Sequence, residues 1–237
     1  MKVLITGGAG FIGGHTADAL IAAGHSVRIL DNLVEPVHRN GEPSYLSEGA
    51  ELVVGDVRSK SDWERALDDI DVVYHLAAYQ DYLTDFSTFF HVNTVGTSLL
   101  YEVAVEKNLP LKKVIVASSQ AVYGEGRYLD GKGAIHYPSI RGRDALEIGR
   151  WNIDDANALT PDWTDESVVN PHNQYAVSKY TQELASLSLG RRYSIPTVCM
   201  RYSIVQGPRQ SLLNAYSGAC RIFSLSCYFD KQPIIYE

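Results

Sequence analysis

Tyr175 and Lys179 stand four residues apart, so on a helix their side chains share a face. An ammonium beside a phenol favours the phenolate and lowers the phenol's pKa from about 10. Tyr175 thereby becomes a usable general base near neutral pH. The same spacing recurs at Tyr128 and Lys132, but Asp130 and Gly131 lie between them and discourage a helix. Residues 174–191, by contrast, are helical in composition throughout, so Tyr175 is the preferred base. A hydroxyl would complete the set. The apolar run 114–117 leads into Ser118 and Ser119, at the carboxyl end of a strand, where open parallel sheets place their ligands. Ser119 is the candidate to hydrogen-bond the substrate hydroxyl whose proton Tyr175 removes. The alternative is that both serines only turn the strand end.

Far from these residues in the chain, Thr6-Gly7-Gly8-Ala9-Gly10-Phe11-Ile12-Gly13 follows a short apolar run and opens a helical stretch. A pyrophosphate is bulky and doubly charged. A helix N-terminus offers it free N–H groups and a positive dipole. Glycines let the backbone turn sharply, approach the phosphates and pack the helix against the strand. Asp31 follows at the tip of the second apolar run. Such an acid binds both ribose hydroxyls of an adenosine and repels a 2′-phosphate. Asn32 and Leu33 bring no cation to receive that phosphate, so the pattern points to NAD rather than NADP. A glycine-rich turn without a ligand, beside a solvated acid, is the alternative.

The elements that must position these groups follow from periodicity. Strands are expected at 2–6, 26–30, 51–54, 72–76 and 113–117. Helices are expected at 11–23, from a cap at Ser61 to about 69, and at 85–107. Alternation of this kind implies a parallel, doubly wound α/β sheet of Rossmann type. Residues 125–170 break the rhythm and read as an insertion, with Trp151 and Trp163 as isolated anchors and a short helix near 153–158. The rhythm resumes with a helix at 174–191 and a strand at 197–201. After Gly207-Pro208 it weakens, and the chain stops in what reads as another strand. Residues 1–201 then form an NAD-binding domain carrying the 125–170 insertion. Residues 202–237 begin a small C-terminal substrate-binding part that looks incomplete.

Bulk properties fit this picture. The 237 residues are 45% hydrophobic and 21% charged, enough for a sizeable core without disulfides or metals. A formal charge of −7 argues against nucleic acid as the main partner, though not against a small phosphorylated ligand. Cys199, Cys220 and Cys227 read as buried thiols of a reducing compartment, with no spacing suited to a metal. Met1 leads straight into a strand, with no leader and no membrane span, so a cytoplasmic protein is expected.

Together these pieces resemble the extended short-chain dehydrogenase/reductase superfamily and, within it, the nucleotide-sugar epimerase/dehydratase family. Besides the glycine turn, the matching segments include Leu30-Asp31-Asn32-Leu33, Gly55-Asp56-Val57, His75-Leu76-Ala77-Ala78 and Asn93-Thr94-Val95-Gly96-Thr97. Further on come Ser118-Ser119-Gln120-Ala121-Val122-Tyr123-Gly124, the Tyr175/Lys179 pair and Gly207-Pro208-Arg209. The resemblance implies that Gly7, Gly10, Phe11, Ile12 and Gly13 contact the pyrophosphate. Asp31 and Asn32 would hold the adenosine ribose, and Asp56 and Val57 would flank the adenine. Leu76, Ala77 and Ala78 would line the path to the nicotinamide ribose. Asn93 joins this cofactor set, supporting the site from the long helix. Ser119, Tyr175 and Lys179 would be the catalytic set, Tyr175 and Lys179 also meeting the cofactor and Lys179 holding the nicotinamide ribose.

Departures from the family pattern bear on the reaction. The family's 4,6-dehydratases carry an Asp-Glu pair where Gln120 and Ala121 stand, and a Glu usual in its decarboxylases is missing too. The Ser-Ser-x-Ala-Val-Tyr-Gly form looks most like the 4-epimerases. Those usually have an Asn where Ile204 stands, and a shorter insertion. The expectation is an NAD-dependent epimerase of a nucleotide-linked sugar, working through a transient keto sugar as a homodimer paired on the 85–107 and 174–191 helices. Another NAD-dependent oxidoreductase or dehydratase of the family, or a non-catalytic NAD-binding regulatory protein, stays open as an alternative.

Overall fold

Six parallel strands form one sheet in the order β3-β2-β1-β4-β5-β9. They are β1 (Lys2–Thr6), β2 (Ser26–Asp31), β3 (Ala50–Val54), β4 (Val72–His75), β5 (Lys113–Ser119) and β9 (Thr197–Tyr202). The computed structural model describes residues 1–35, 37–153, 158–211 and 218–234. The strand order reverses between β1 and β4, and a crevice opens at the carboxyl ends of strands at such a switch point. Thr6 and His75 end the two strands that flank it.

Alternation along the strands sends side chains to both faces. Leu4, Leu30, Val73, Val114 and Val116 pack with Trp63 and Leu100 in one core, while Val3, Ile5, Val27 and Ile29 pack with Ala17 in another. Helices α1 (Phe11–Ala22), α2 (Lys60–Ala66) and α4 (Gly96–Glu106) supply the facing residues. A sheet covered on both faces is what continuous apolar strands require.

Several boundaries differ from expectation, and two of the shifts matter. β2 extends through Asp31 and β5 through Ser119, because ladder pairing to β3 and β9 continues to those residues. Both are thereby strand termini facing the crevice. The cap of α2 is Ser59, whose Oγ accepts from Asp62 N at 3.3 Å, not Ser61. That helix stops at Ala66 because Arg28, buried on β2, donates from Nη1 to the carbonyls of Arg65, Ala66 and Asp68. The expected 85–107 helix is broken into α3 (Phe86–Phe90), a π-helical turn (His91–Val95) and α4.

The insertion holds three two-residue antiparallel strands, β6 (Tyr128–Leu129), β7 (Ile135–His136) and β8 (Thr160–Pro161). Its helix, α5, lies at Arg143–Glu147. The helix expected near 153–158 falls largely on residues 154–157, outside the described ones, and Ala158 has a positive φ of 47°. Helix α6 (Gln174–Arg192) is as expected. Helix α7 (Ala219–Tyr228) was not anticipated, since its Ser, Cys and aromatic residues carry little helix propensity. The cysteines correct the expectation of buried thiols: Cys199 is half-buried, and Cys220 and Cys227 are exposed on α7. Among the described residues, no helix is long and apolar enough to cross a membrane and no cluster of three metal-ligating side chains occurs.

Candidate active site

The glycine-rich turn is shaped by contacts that exclude side chains. Gly7 has φ +67°, and a Cβ there would lie 2.8 Å from Ala77 N. A Cβ on Gly13 would run into Gly7 O. Gly7 N donates to Leu30 O at 2.9 Å and Gly10 N to Gly7 O at 3.1 Å, which closes the turn against β2. Gly10 is the N-cap of α1 and uses no side-chain cap, so the first N–H groups of the helix point at the crevice unmet by side chain. A helix end of this kind can cradle a pyrophosphate.

Asp31 sits beside the turn, 8% exposed. Its Oδ2 accepts from Ala9 N at 3.1 Å and its Oδ1 from Leu33 N at 3.0 Å. Each carboxylate oxygen keeps a second lone pair for a ribose hydroxyl. His38, which the sequence pattern did not single out, is buried with Nε2 3.8 Å from Asp31 Oδ1. Asn32 Nδ2 donates to Asp56 Oδ2 at 3.1 Å, and Arg58 grips Asp56 with two bonds of 3.0 and 2.7 Å. The Arg58 bonds hold the Asp56 carboxyl down at about 2.

The second cluster lies on α6. Asn173 caps that helix, its Oδ1 accepting from Ala176 N at 2.8 Å, so Tyr175 sits in the first turn and Lys179 one turn on. Tyr175 is 9% exposed and Lys179 2%. Lys179 Nζ lies 6.0 Å from the centroid of the Tyr175 ring. It donates to Ala117 O at 2.7 Å, which ties α6 to the end of β5. Burial pushes its ammonium down to about 7, against smaller raising effects of Cys199 and Glu183. Ser119 ends β5 and caps a 3-10 turn (Gln120–Tyr123), its Oγ accepting from Ala121 N at 3.1 Å.

One cleft of about 2440 Å³ runs from the glycine turn to Ser119, Tyr175 and Lys179. The sequence-predicted residues Gly7, Gly10, Phe11, Ile12, Gly13, Asp31, Asn32, Asp56, Val57, Leu76, Ala77 and Ala78 all line it. Asn93 does not. It is fully buried in the π turn, its Oδ1 accepting from Tyr79 N at 2.8 Å and its Nδ2 donating to Tyr79 O and Ser178 Oγ. Asn93 thus holds the Tyr79 loop to α6 instead of lining the cleft, because its whole side-chain amide is taken up by Tyr79 and Ser178. Tyr128 lies in β6, away from the cleft lining, and Lys132 follows in a turn.

A buried junction that the sequence pattern does not reveal anchors the insertion. Arg201 on β9 pairs with Glu183 of α6 through two bonds of 2.9 Å. Ser118 Oγ donates to Glu183 as well. Arg201 Nη1 donates to the carbonyls of Glu166 and Val168, and its guanidinium stacks 4.6 Å from the Tyr123 ring. No spacing in the sequence signals such a junction, because its members lie on five separate segments.

Comparison with known proteins places the whole chain. A family model described as the NAD dependent epimerase/dehydratase family matches residues 3–143 and 153–223. The dTDP-L-rhamnose 4-epimerase of Burkholderia thailandensis is 36% identical over 242 residues, covering 100% of this chain and 66% of that protein. The crystal structure of a UDP-glucose 4-epimerase from Thermotoga maritima, with UDP-glucose, superposes with a TM-score of 0.76 at 25% identity, over 100% of this chain and 66% of that one. A UDP-glucuronic acid 4-epimerase from Bacillus cereus, in complex with NAD, gives a TM-score of 0.73 at 27% identity, over 99% of this chain and 66% of that one. The chain spans 66% of the length of each of these proteins. The chain belongs to the NAD dependent epimerase/dehydratase family, and NAD is the cofactor that its glycine turn and Asp31 fit.

Proposed function

We propose that this protein inverts one hydroxyl-bearing carbon, C4, of a nucleotide-linked sugar. The observation that carries the reading is the convergence of Ser119, Tyr175 and Lys179 on the cleft that also holds the glycine turn and Asp31. Gly7, Gly10, Gly13 and Asp31 hold the cofactor's phosphates and adenosine ribose. When bound, NAD supplies a reversible hydride acceptor. Tyr175, as phenolate, accepts the proton of the sugar hydroxyl, and Ser119 hydrogen-bonds the same oxygen. Lys179 stabilises the phenolate by its charge. The proton returns from Tyr175 when the hydroxyl is restored with opposite configuration, so net redox is zero. Gln120 and Ala121, at the lining beside Ser119, bring no carboxyl group for an elimination. That favours epimerisation over dehydration.

The test is incubation of the intact protein with NAD and a panel of UDP- and dTDP-linked hexoses, followed by proton NMR. Inversion at C4 without accumulated NADH supports the reading. Steady NADH production, or loss of water to a deoxy-keto sugar, sinks it.

We also propose a homodimer. Phe89, Leu100 and Val103 of the long helix are consumed by the core. Phe86 and Val95 remain 52% and 44% exposed, and Val177, Leu184 and Leu187 on α6 remain 38%, 51% and 43% exposed. These are the two helices expected to pair.

A further inference from the structure

Lys179 is aimed by more than the end of β5. Its Nζ also donates to Gln182 Oε1 at 2.9 Å. Gln182 is fully buried one turn along α6, and its Nε2 donates to Thr97 Oγ1 at 2.8 Å. Thr97 Oγ1 donates to Asn93 O at 2.6 Å. His75 Nε2 lies 2.8 Å from the same Thr97 oxygen, and His75 Nδ1 lies 2.7 Å from Thr6 Oγ1. Thr6 Oγ1 in turn accepts from Ala77 N at 3.1 Å. Thr6, His75, Thr97 and Gln182 are all 0% exposed.

One set of directions satisfies every member of this chain. A hydroxyl has a single proton. That of Thr97 goes to Asn93 O, so Thr97 accepts from both Gln182 and His75. His75 then carries its proton on Nε2, and Nδ1 accepts from Thr6. Thr6 can donate there because Ala77 N–H fills its acceptor side. Burial keeps the imidazole neutral. The Gln182 amide is fixed in the same way, since a flipped amide would set N–H against the Lys179 ammonium.

We propose that Gln182 is a positioning residue for Lys179. Its carbonyl oxygen, aimed through Thr97, His75 and Thr6, holds the ammonium where it meets Tyr175 and the cofactor. The chain thereby ties that point to the strand end from which the glycine turn springs. This rests on the reading of Lys179 given above. A lysine stem is long and rich in rotamers, so a buried ammonium needs fixed acceptors to be held in one place. Two neutral acceptors, Ala117 O and Gln182 Oε1, orient it without neutralising its charge. A carboxylate at 182 would pair with the ammonium and weaken its pull on the phenol. The other ionisable groups around the ammonium are Glu183 on α6, which is bound by Arg201 and Ser118, Cys199 on β9, His75 on β4 and Tyr175.

The test measures NAD affinity by calorimetry across neutral to alkaline pH. The proteins are the wild type, Lys179→Met, Gln182→Leu, their double variant and Gln182→Glu. Gln182→Leu is expected to weaken NAD binding roughly tenfold, and to add nothing in the Lys179→Met background. Gln182→Glu has the same size but holds Lys179 charged, so the alkaline fall in affinity should move to higher pH. An equal loss from Gln182→Leu in both backgrounds, or an unshifted profile in Gln182→Glu, overturns the positioning role. NAD affinity unchanged in Lys179→Met overturns instead the role of Lys179 at the cofactor, and the proposal with it. Should Gln182→Leu fail to fold, the pH profile of Gln182→Glu decides by itself.

Discussion

In the proposed reaction Tyr175 is asked to ionise, and its surroundings bear on that task. Replacing it with Phe keeps the ring that packs at the foot of α6 and removes only the hydroxyl. Turnover is expected to fall by roughly 10²–10⁴-fold, the usual weight of general acid–base catalysis, with NAD affinity nearly unchanged. Tyr128→Phe should change neither, since Tyr128 lies off the cleft in β6. The pH–rate profile of the unmodified protein should show a rising limb well below the free phenol's pKa of about 10, and Tyr175→Phe should lose it. Full activity in Tyr175→Phe on a verified substrate would show that another group is the base. At the other end of the cleft, Asp31→Ala removes the two carboxylate oxygens proposed to accept from ribose hydroxyls. It should weaken NAD by about 1.5–3 kcal/mol, the range for hydrogen bonds to charged groups, and narrow the preference for NAD over NADP. Titration of both cofactors reads this directly, and an undiminished preference would count against Asp31 as the selector. The types and spacing of these residues were legible in the chain, because a phosphate cradle and an acid at a strand tip follow from local backbone rules. The partners His38, Arg58 and Gln182 were not, although they lie only two to seven positions from Asp31, Asp56 and Lys179, because no motif marks a polar neighbour and only burial and side-chain direction decide that it turns toward the site.

Among the elements, α6 carries the most chemistry, and its start is set by Asn173. The cap places Tyr175 in the first turn and Lys179 in the second, both toward β5. Asn173→Ala should cost about 1 kcal/mol of stability through the lost cap. Because the frayed turn contains Tyr175, activity should fall more than NAD affinity does. Thermal melts together with turnover check this, and an activity loss no larger than the affinity loss would detach the cap from the chemistry. The elements themselves were largely legible: the strands and α6 appear within a few residues of where periodicity puts them. The exceptions have local causes. Arg28 stops α2 with bonds to its last two carbonyls, of Arg65 and Ala66, and to that of Asp68 just beyond, and a π turn interrupts the long helix at Asn93. Such π turns recur at functional sites, and here the turn delivers Asn93 to Tyr79 and Ser178. In the insertion, strands of two residues carry too little pattern for a period to register.

For the molecule as a whole, two buried titratable groups predict how stability follows pH. Burial pushes His75 down from 6.5 to about 3. Between those values the unfolded chain binds a proton that the folded one refuses, so stability rises with pH through the window and is lost as pH falls. Lys179, pushed from 10.5 to about 7, acts in the same direction between pH 7 and 10.5. Melting temperatures should therefore climb from about pH 4.5 to 6.5, above the carboxylate range, and His75→Gln should flatten that climb. An unchanged slope in the variant would assign the effect to other groups. Assembly is a separate question, decided by what the long helix and α6 leave outside. Light scattering at micromolar concentration should give twice the chain mass, falling to one in a Leu184→Glu/Leu187→Glu variant. A monomeric wild type would leave those apolar faces without the proposed partner.

The alternating strand and helix periods, the glycine turn with Asp31, and the Tyr175/Lys179 spacing already specified a doubly wound sheet, its NAD cradle and a candidate base. Each of these is a local matter: backbone conformation, helical periodicity and strand alternation act over a few residues. Only the tertiary structure decided that Ser119, Tyr175, Lys179 and the cradle share one cleft. It also tied Asn93 to Tyr79 and Ser178, clamped the insertion through Arg201 and Glu183, and threaded Thr6, His75, Thr97 and Gln182 into one buried chain. Those outcomes depend on hydrogen bonds between residues tens of positions apart. Burial makes such bonds obligatory, but the spacing of residues along the chain does not encode which ones form.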